Sequence, residues 1–157
     1  MRIEDIAHML ASTCCFAKQT TFFYSIAQHD YLVSMIVPPD DALAALLADA
    51  RTALEQLLPQ CFETDGDAAT YILARLGLPS GLPSAVEQAD LVLRATERHD
   101  LGRAHDAAVA PLEGVRPLPL KIQPLPPLVA KHLFLDRYYE LRPQRSPSAS
   151  PVPEGAS

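Results

Sequence analysis

The chain has 157 residues, 48% of them hydrophobic, and carries 13 Lys and Arg against 19 Asp and Glu for a formal net charge of −6. That is enough apolar chain for one domain with a sizeable core, which excludes overall disorder, and the acidic balance excludes charge-driven binding to a nucleic-acid polymer. No apolar run approaches the roughly 18–20 residues that span a bilayer, and the start, Met1-Arg2-Ile3-Glu4-Asp5, has no secretory apolar region, so no membrane or export step is expected.

The first helix is expected over residues 2–11, where Ile3, Ile6, Ala7 and Leu10 alternate with acids as an amphipathic stripe. Residues 12–24 read as a loop whose aromatics, Phe16, Phe22, Phe23 and Tyr24, pack on the core. Its Cys14 and Cys15, with Cys61 the only other cysteine, are odd in number and partly adjacent. They build no disulfide framework, and a reducing cytoplasm is the expected location. Cys14 and Cys15 also lack the two-residue gap of a zinc pair that would use His8, so they read as small apolar groups.

Ser25 then caps a second helix. Ile26, Val33 and Ile36 form its apolar stripe, and His29 sits on it, three after Ile26 and four before Val33. A histidine on a buried face needs partners for its ring nitrogens. The ordinary partner is a backbone carbonyl; the sharper alternative is a metal. Pro38-Pro39 ends this helix.

Asp40 or Asp41 caps a third helix, roughly 41–58, with Leu43, Leu46, Leu47, Ala50, Leu54 and Leu57 inward and Asp49 beside the stripe. Residues 64–67 form a turn whose Asp67 opens a fourth helix that Gly77 stops near Leu76. Ser84 begins a fifth helix, ended by Gly102, in which Asp90 lies between Val86 and Leu93 at four-and-three spacing. Residues 103–126 read as a long ordered loop. Residues 127–141 return to helix with Leu128, Leu133, Phe134 and Leu135 apolar. Residues 142–157, rich in Pro and Ser, read as a flexible tail after a 1–141 domain. No stretch alternates at strand period, so the expected class is all-α, a compact bundle of about six helices.

His29, Asp49 and Asp90 thus come from three helices. Converging, they make a divalent-cation site; otherwise the two acids lie at helix edges in solvent.

The ordered set Ile3-Glu4-Asp5-Ile6-Ala7-His8, Phe23-Tyr24-Ser25-Ile26-Ala27-Gln28-His29, Leu32-Val33-Ser34, Ala45-Leu46-Leu47-Ala48-Asp49-Ala50, Ala89-Asp90-Leu91, Ala95-Thr96-Glu97 and Asp100-Leu101 resembles HD-domain phosphohydrolases. The similar branch is the small phage and bacterial one related to 5′-deoxynucleotidases. Ile122, Pro124, Ala130, Phe134, Leu135, Arg137 and Leu141 resemble that branch's closing loop and helix. The resemblance implies an HD-domain-like bundle and a divalent metal (Mn, Co, Mg or Zn). His29, Asp49 and Asp90 would hold it, and it would activate water against the phosphate of a nucleotide or deoxynucleotide. It also implies a tendency to homo-oligomers.

The departures fall on the chemistry. Ala48 stands where the family has its fourth, histidine ligand. Thr52 stands where it commonly has a catalytic Glu, and Cys15 and Thr21-Phe22 replace its usual arginines. The segment after Asp49 is also shorter than usual. Three readings follow: a degenerate phosphohydrolase-like protein with lost or reduced turnover that keeps a nucleotide-sized pocket, an active enzyme with a three-ligand site, or a small helical interaction module.

Overall fold

A computed structural model describes residues 1–15, 22–63, 67–101 and 114–142. The helices are α1 (Ile3–Ser12), α2 (Ile26–Ile36), α3 (Ala42–Leu46), α4 (Ala50–Leu57), α5 (Gln60–Glu63), α6 (Asp67–Leu76), α7 (Ser84–Leu101) and α8 (Pro127–Leu141), with a 3-10 turn at Pro39–Asp41. Six of these have eight residues or more, and no strand occurs among the described residues. The protein is all-α.

Most elements follow from local sequence. In α1, Ile3, Ile6, Ala7, Leu10 and Ala11 are buried at helical spacing, and the Asp5 carboxylate accepts from the Arg2 N–H at its start. Ser25 caps α2 as expected, its Oγ accepting from the Gln28 N–H at 3.1 Å. Helix α6 ends at Gly77 with φ +103°. There the Leu78 N–H reaches back to the Leu73 carbonyl, closing a left-handed C-terminal cap. A methyl group added at Gly77 would also meet Leu43 Cδ2 at 2.7 Å. Helix α8 buries Ala130, Phe134 and Tyr138, one turn apart.

Two apolar clusters make the core. One joins α1, α4 and α8 through Ile6, Leu10, Leu54 and Phe134. The other joins α3, α7 and the segment before α8 through Ala45, Val86, Leu93 and Ile122. Helix α2 packs against α1, α3, α7 and α8. It gives Ala27 to the first cluster and Val33 to the second. Between those two residues its buried side chains are Gln28, His29 and Asp30. Polar groups are therefore concentrated where the central helix passes from one cluster to the other.

Several expectations are corrected. The third helix is two: Leu47 to Asp49 turn, with Ala48 and Ala50 N–H bonds reaching back only three residues, to Ala45 and Leu47. The apolar stripe runs unbroken through this corner, with Leu46, Leu47, Ala50 and Leu54 all buried, so the pattern carries no mark of the break. Asp41 stands before α3 without a side-chain capping bond, because the 3-10 turn already leads the chain in. The short α5 is additional. Phe22 and Phe23 are exposed rather than packed on the core; Tyr24 alone of the described loop aromatics is buried. Ile36 and Leu128 are exposed, each lying at the end of its helix.

Residues 114–126 are an ordered connection without helix or strand, as expected of a long loop. Side chains tie it down. Thr96 Oγ accepts from the Leu118 N–H, and Asp100 accepts from the Ile122 N–H. The Gln28 amide bonds both the Gln123 carbonyl and the Leu125 N–H. Phe16, the turn at 64–66, the stop at Gly102, the rest of the loop to 113 and the tail beyond 142 lie outside the described residues.

Candidate metal centre

The site is built on His29, which is 1% exposed. Both ring nitrogens meet carboxylates, not a backbone carbonyl. Nδ1 lies 2.5 Å from Glu97 Oε1, and Nε2 lies 2.8 Å from Asp90 Oδ1. Burial alone would lower the imidazole's pKa. The bonds to Asp90 and Glu97 outweigh it and hold the pKa at about 9. At neutral pH the ring is therefore an imidazolium donating from both nitrogens.

The two sides of the ring differ. On the Nδ1 side, Glu97 is buried and also accepts from the Tyr24 hydroxyl at 2.7 Å. Burial and the neighbouring Glu97 push both the Tyr24 hydroxyl and the Cys15 thiol upward, so each keeps its proton. Cys15, His29 and Glu97 bring potential ligand atoms within 4.8 Å of one another, but all three are buried. A protonated thiol is a poor ligand. This side is a closed polar core.

On the Nε2 side lies a cleft of about 360 Å³. Helix α2 contributes Asp30 to its wall, the α3–α4 corner contributes Ala48 and Asp49, and α7 contributes Asp90 and Arg94. Asp90 is half-buried and held by two cations. Arg94 Nε donates to its Oδ2 at 2.6 Å, and His29 holds its Oδ1. Burial opposes ionisation of Asp90, but His29 and Arg94 win and keep its carboxyl below the usual range. Asp49 begins α4 yet makes no capping bond with its side chain. It lies beside Asp30, with which it can share a proton.

Asp30 is the residue that sequence reasoning missed. It is 1% exposed, and among the described residues no donor reaches its Oδ2. Burial, reinforced by the Asp49 charge, raises its pKa well above 3.8. His29, Asp30 and Asp49 bring ligand atoms within 4.8 Å of one another. These buried and half-buried His and Asp side chains can hold a metal ion. The residues fit a cation that displaces the Nε2 proton of His29: the nitrogen so freed and several carboxylates form a donor set, and among the described residues no donor reaches the Asp30 Oδ2.

The three residues expected from sequence are thus distributed around one ring and one cleft. His29 meets Asp90 directly and Asp49 through the triad with Asp30; Asp90 stands outside that triad. Thr52 is exposed on α4, and Ala48 presents only a methyl group. Glu97 had a legible signal, since it continues the Val86, Asp90, Leu93 series at the next helical step. Asp30 had one too, four after Ile26 and three before Val33 on the same helix.

An all-α chain with a buried histidine–carboxylate cluster at the floor of a cleft is the class that fold and site define. No family model matches the chain, and no solved structure matches it. It is 36% identical over 148 residues to the uncharacterized protein YfdR of Escherichia coli (strain K12), a match covering 88% of this chain and 83% of YfdR. The chain belongs to the YfdR family.

Proposed function

We propose that this is an HD-domain phosphohydrolase-like protein that binds a divalent cation and a phosphorylated nucleotide in the α2–α7 cleft, with hydrolytic turnover lost or much reduced. The observation that supports this best is the placement of His29 between Asp90, at 2.8 Å, and Asp49, in one triad, at a cleft of about 360 Å³. A cation there would polarise a phosphoryl oxygen and lower the pKa of bound water. The chain's own residues have simpler tasks. Glu97 and Tyr24 fix the His29 ring from behind. Asp90 takes a place on Nε2, and Arg94, with its side chain 37% exposed, brings positive charge to the cleft wall.

Reduced turnover rests on Ala48 and Thr52. The Ala48 methyl group cannot coordinate a cation, the exposed Thr52 hydroxyl does not move a proton as a carboxylate does, and loss of a general acid or base typically removes about 10²–10⁴ in rate. Free Cys14, Cys15 and Cys61 accord with a cytoplasmic location. No helix among the described residues is long and apolar enough to cross a membrane.

The test is metal analysis of the purified protein, followed by binding of Mn²⁺ and of deoxynucleoside monophosphates and by phosphate release. The expected result is a bound divalent cation and a nucleotide-dependent rise in Tm, with little phosphate released. Turnover should increase in Ala48→His/Thr52→Glu. Efficient phosphate release by the natural chain, abolished in His29→Ala, would establish the active alternative. Absence of both cation and nucleotide binding would sink the proposal.

A further inference from the structure

We infer that Asp30 is itself a ligand of the cation, supplying the donor that the methyl group of Ala48 cannot. This rests on the reading of the cleft as a cation site and names a donor beyond His29, Asp49 and Asp90.

Asp30 is 1% exposed, and among the described residues no donor reaches its Oδ2. A buried carboxylate without a cation or donor is costly, and proteins rarely keep one without a use. The positive groups of the neighbourhood are committed elsewhere. His29 is bound by Glu97 and Asp90, and Arg94 donates to Asp90. What remains beside Asp30 is another carboxyl, Asp49, and the open cleft that both line. Asp30 and Asp49 lie side by side, and the His29 ring that completes their triad inside 4.8 Å spends its two N–H groups on Glu97 and Asp90.

The backbone explains how one helix provides two such groups. Successive residues on a helix are about 100° apart. His29 can therefore meet α7 while Asp30 meets the α3–α4 corner, and a cation between them is reached from both. Ala48 forms part of the same wall and occupies little of it. Asp30 lines the same cleft as Ala48 and Asp49, from the neighbouring helix α2. Two acids and one imidazole, with Asp90 in reach of that imidazole, form a harder and more negative donor set than one with a second imidazole. Such a set favours Mn²⁺ or Mg²⁺ over Zn²⁺.

The experiment is calorimetric titration of the metal-free full chain with Mn²⁺ and with Zn²⁺, alongside Asp30→Asn and the exchange Asp30→Ser/Ala48→His. Asp30→Asn keeps shape and size. Its metal-free Tm is expected to equal or exceed that of the natural chain, because a buried acid with no donor to its Oδ2 is replaced by a neutral amide. Its Mn²⁺ affinity is expected to fall at least about 10-fold, the low end for disturbing a metal's surroundings. The exchange variant is expected to regain binding with preference moved toward Zn²⁺. Should Asp30→Asn fail to fold, Asp30→Ser gives the same affinity comparison. Unchanged Mn²⁺ affinity in the Asp30 variant, with normal binding by the natural chain, overturns this inference and leaves the cation site standing. Failure of the natural chain to bind either metal overturns both.

Discussion

The two sides of one imidazole make the instructive contrast. Toward Nδ1, His29 meets Glu97, which also receives the Tyr24 hydroxyl, all of them buried. Toward Nε2 it meets Asp90, half-exposed beside Arg94, with Asp30 and Asp49 alongside at the cleft. The residue types are similar, but only one side is accessible. The closed side is arranged for stability and orientation. The open side lines a cleft with three acids, Asp30, Asp49 and Asp90, near the His29 and Arg94 cations. Perturbed groups occur on both, so perturbation by itself does not locate function.

The largest expected break in that contrast is Glu97→Ala. It leaves the Tyr24 hydroxyl and the His29 Nδ1–H buried without their acceptor. Loss of one partner from a buried charged pair typically costs about 3–5 kcal/mol. Urea unfolding should show this as a large drop in midpoint. A loss no greater than that of an exposed substitution would remove the closed side's structural role.

Next comes pH. The His29 pKa is raised from 6.5 to about 9, so the folded chain binds this proton more tightly than the unfolded one. The resulting stability is complete below pH 6.5 and is lost as pH rises through 9, a difference of about 3 kcal/mol. Asp30, raised above 3.8, also makes stability fall with rising pH. Asp90, held low, contributes stability above its ordinary 3.8 and loses it only in acid, outside this window. Unfolding free energy of the metal-free chain should therefore decline between pH 6.5 and pH 9, and His29→Gln should flatten the decline. A flat profile in the natural chain would contradict the imidazolium assignment.

The smallest effect on stability sharpens the comparison from the open side. Arg94→Ala removes a partly exposed ion pair one helical turn from Asp90. Such pairs contribute a few tenths of a kcal/mol. Binding of a deoxynucleoside monophosphate should nevertheless weaken, which isothermal titration would detect. A substitution harmful to stability but neutral to nucleotide binding would place Arg94 with the structural groups instead.

The fold was legible to the extent that it is local. The Ser25 cap, the Gly77 stop and the stripes of α1 and α7 can be read from neighbouring residues, and each forms as expected. The corner at Leu47–Asp49 was not legible, because it contains no Gly or Pro and its leucines and alanines keep helical spacing. Its inside is settled by packing against α2 and α8. At the site, His29 and Asp90 stood on apolar stripes and were found for that reason. Glu97 followed the same periodicity one step further. Asp30, four after Ile26 and three before Val33, has helical spacing as good as that of His29, but only the approach of the α3–α4 corner gives it a neighbour in Asp49.

Sequence by itself determined the class, most helices and the presence of a polar residue on the central apolar face, because these depend on periodicity and capping within a few residues. Tertiary structure alone decided that the ring of His29 is bound by two carboxylates and that Asp30 is buried beside Asp49 with no donor on one oxygen. The reason is physical. Burial and pairing depend on which segments meet in space, and here the partners lie more than sixty residues from His29 along the chain.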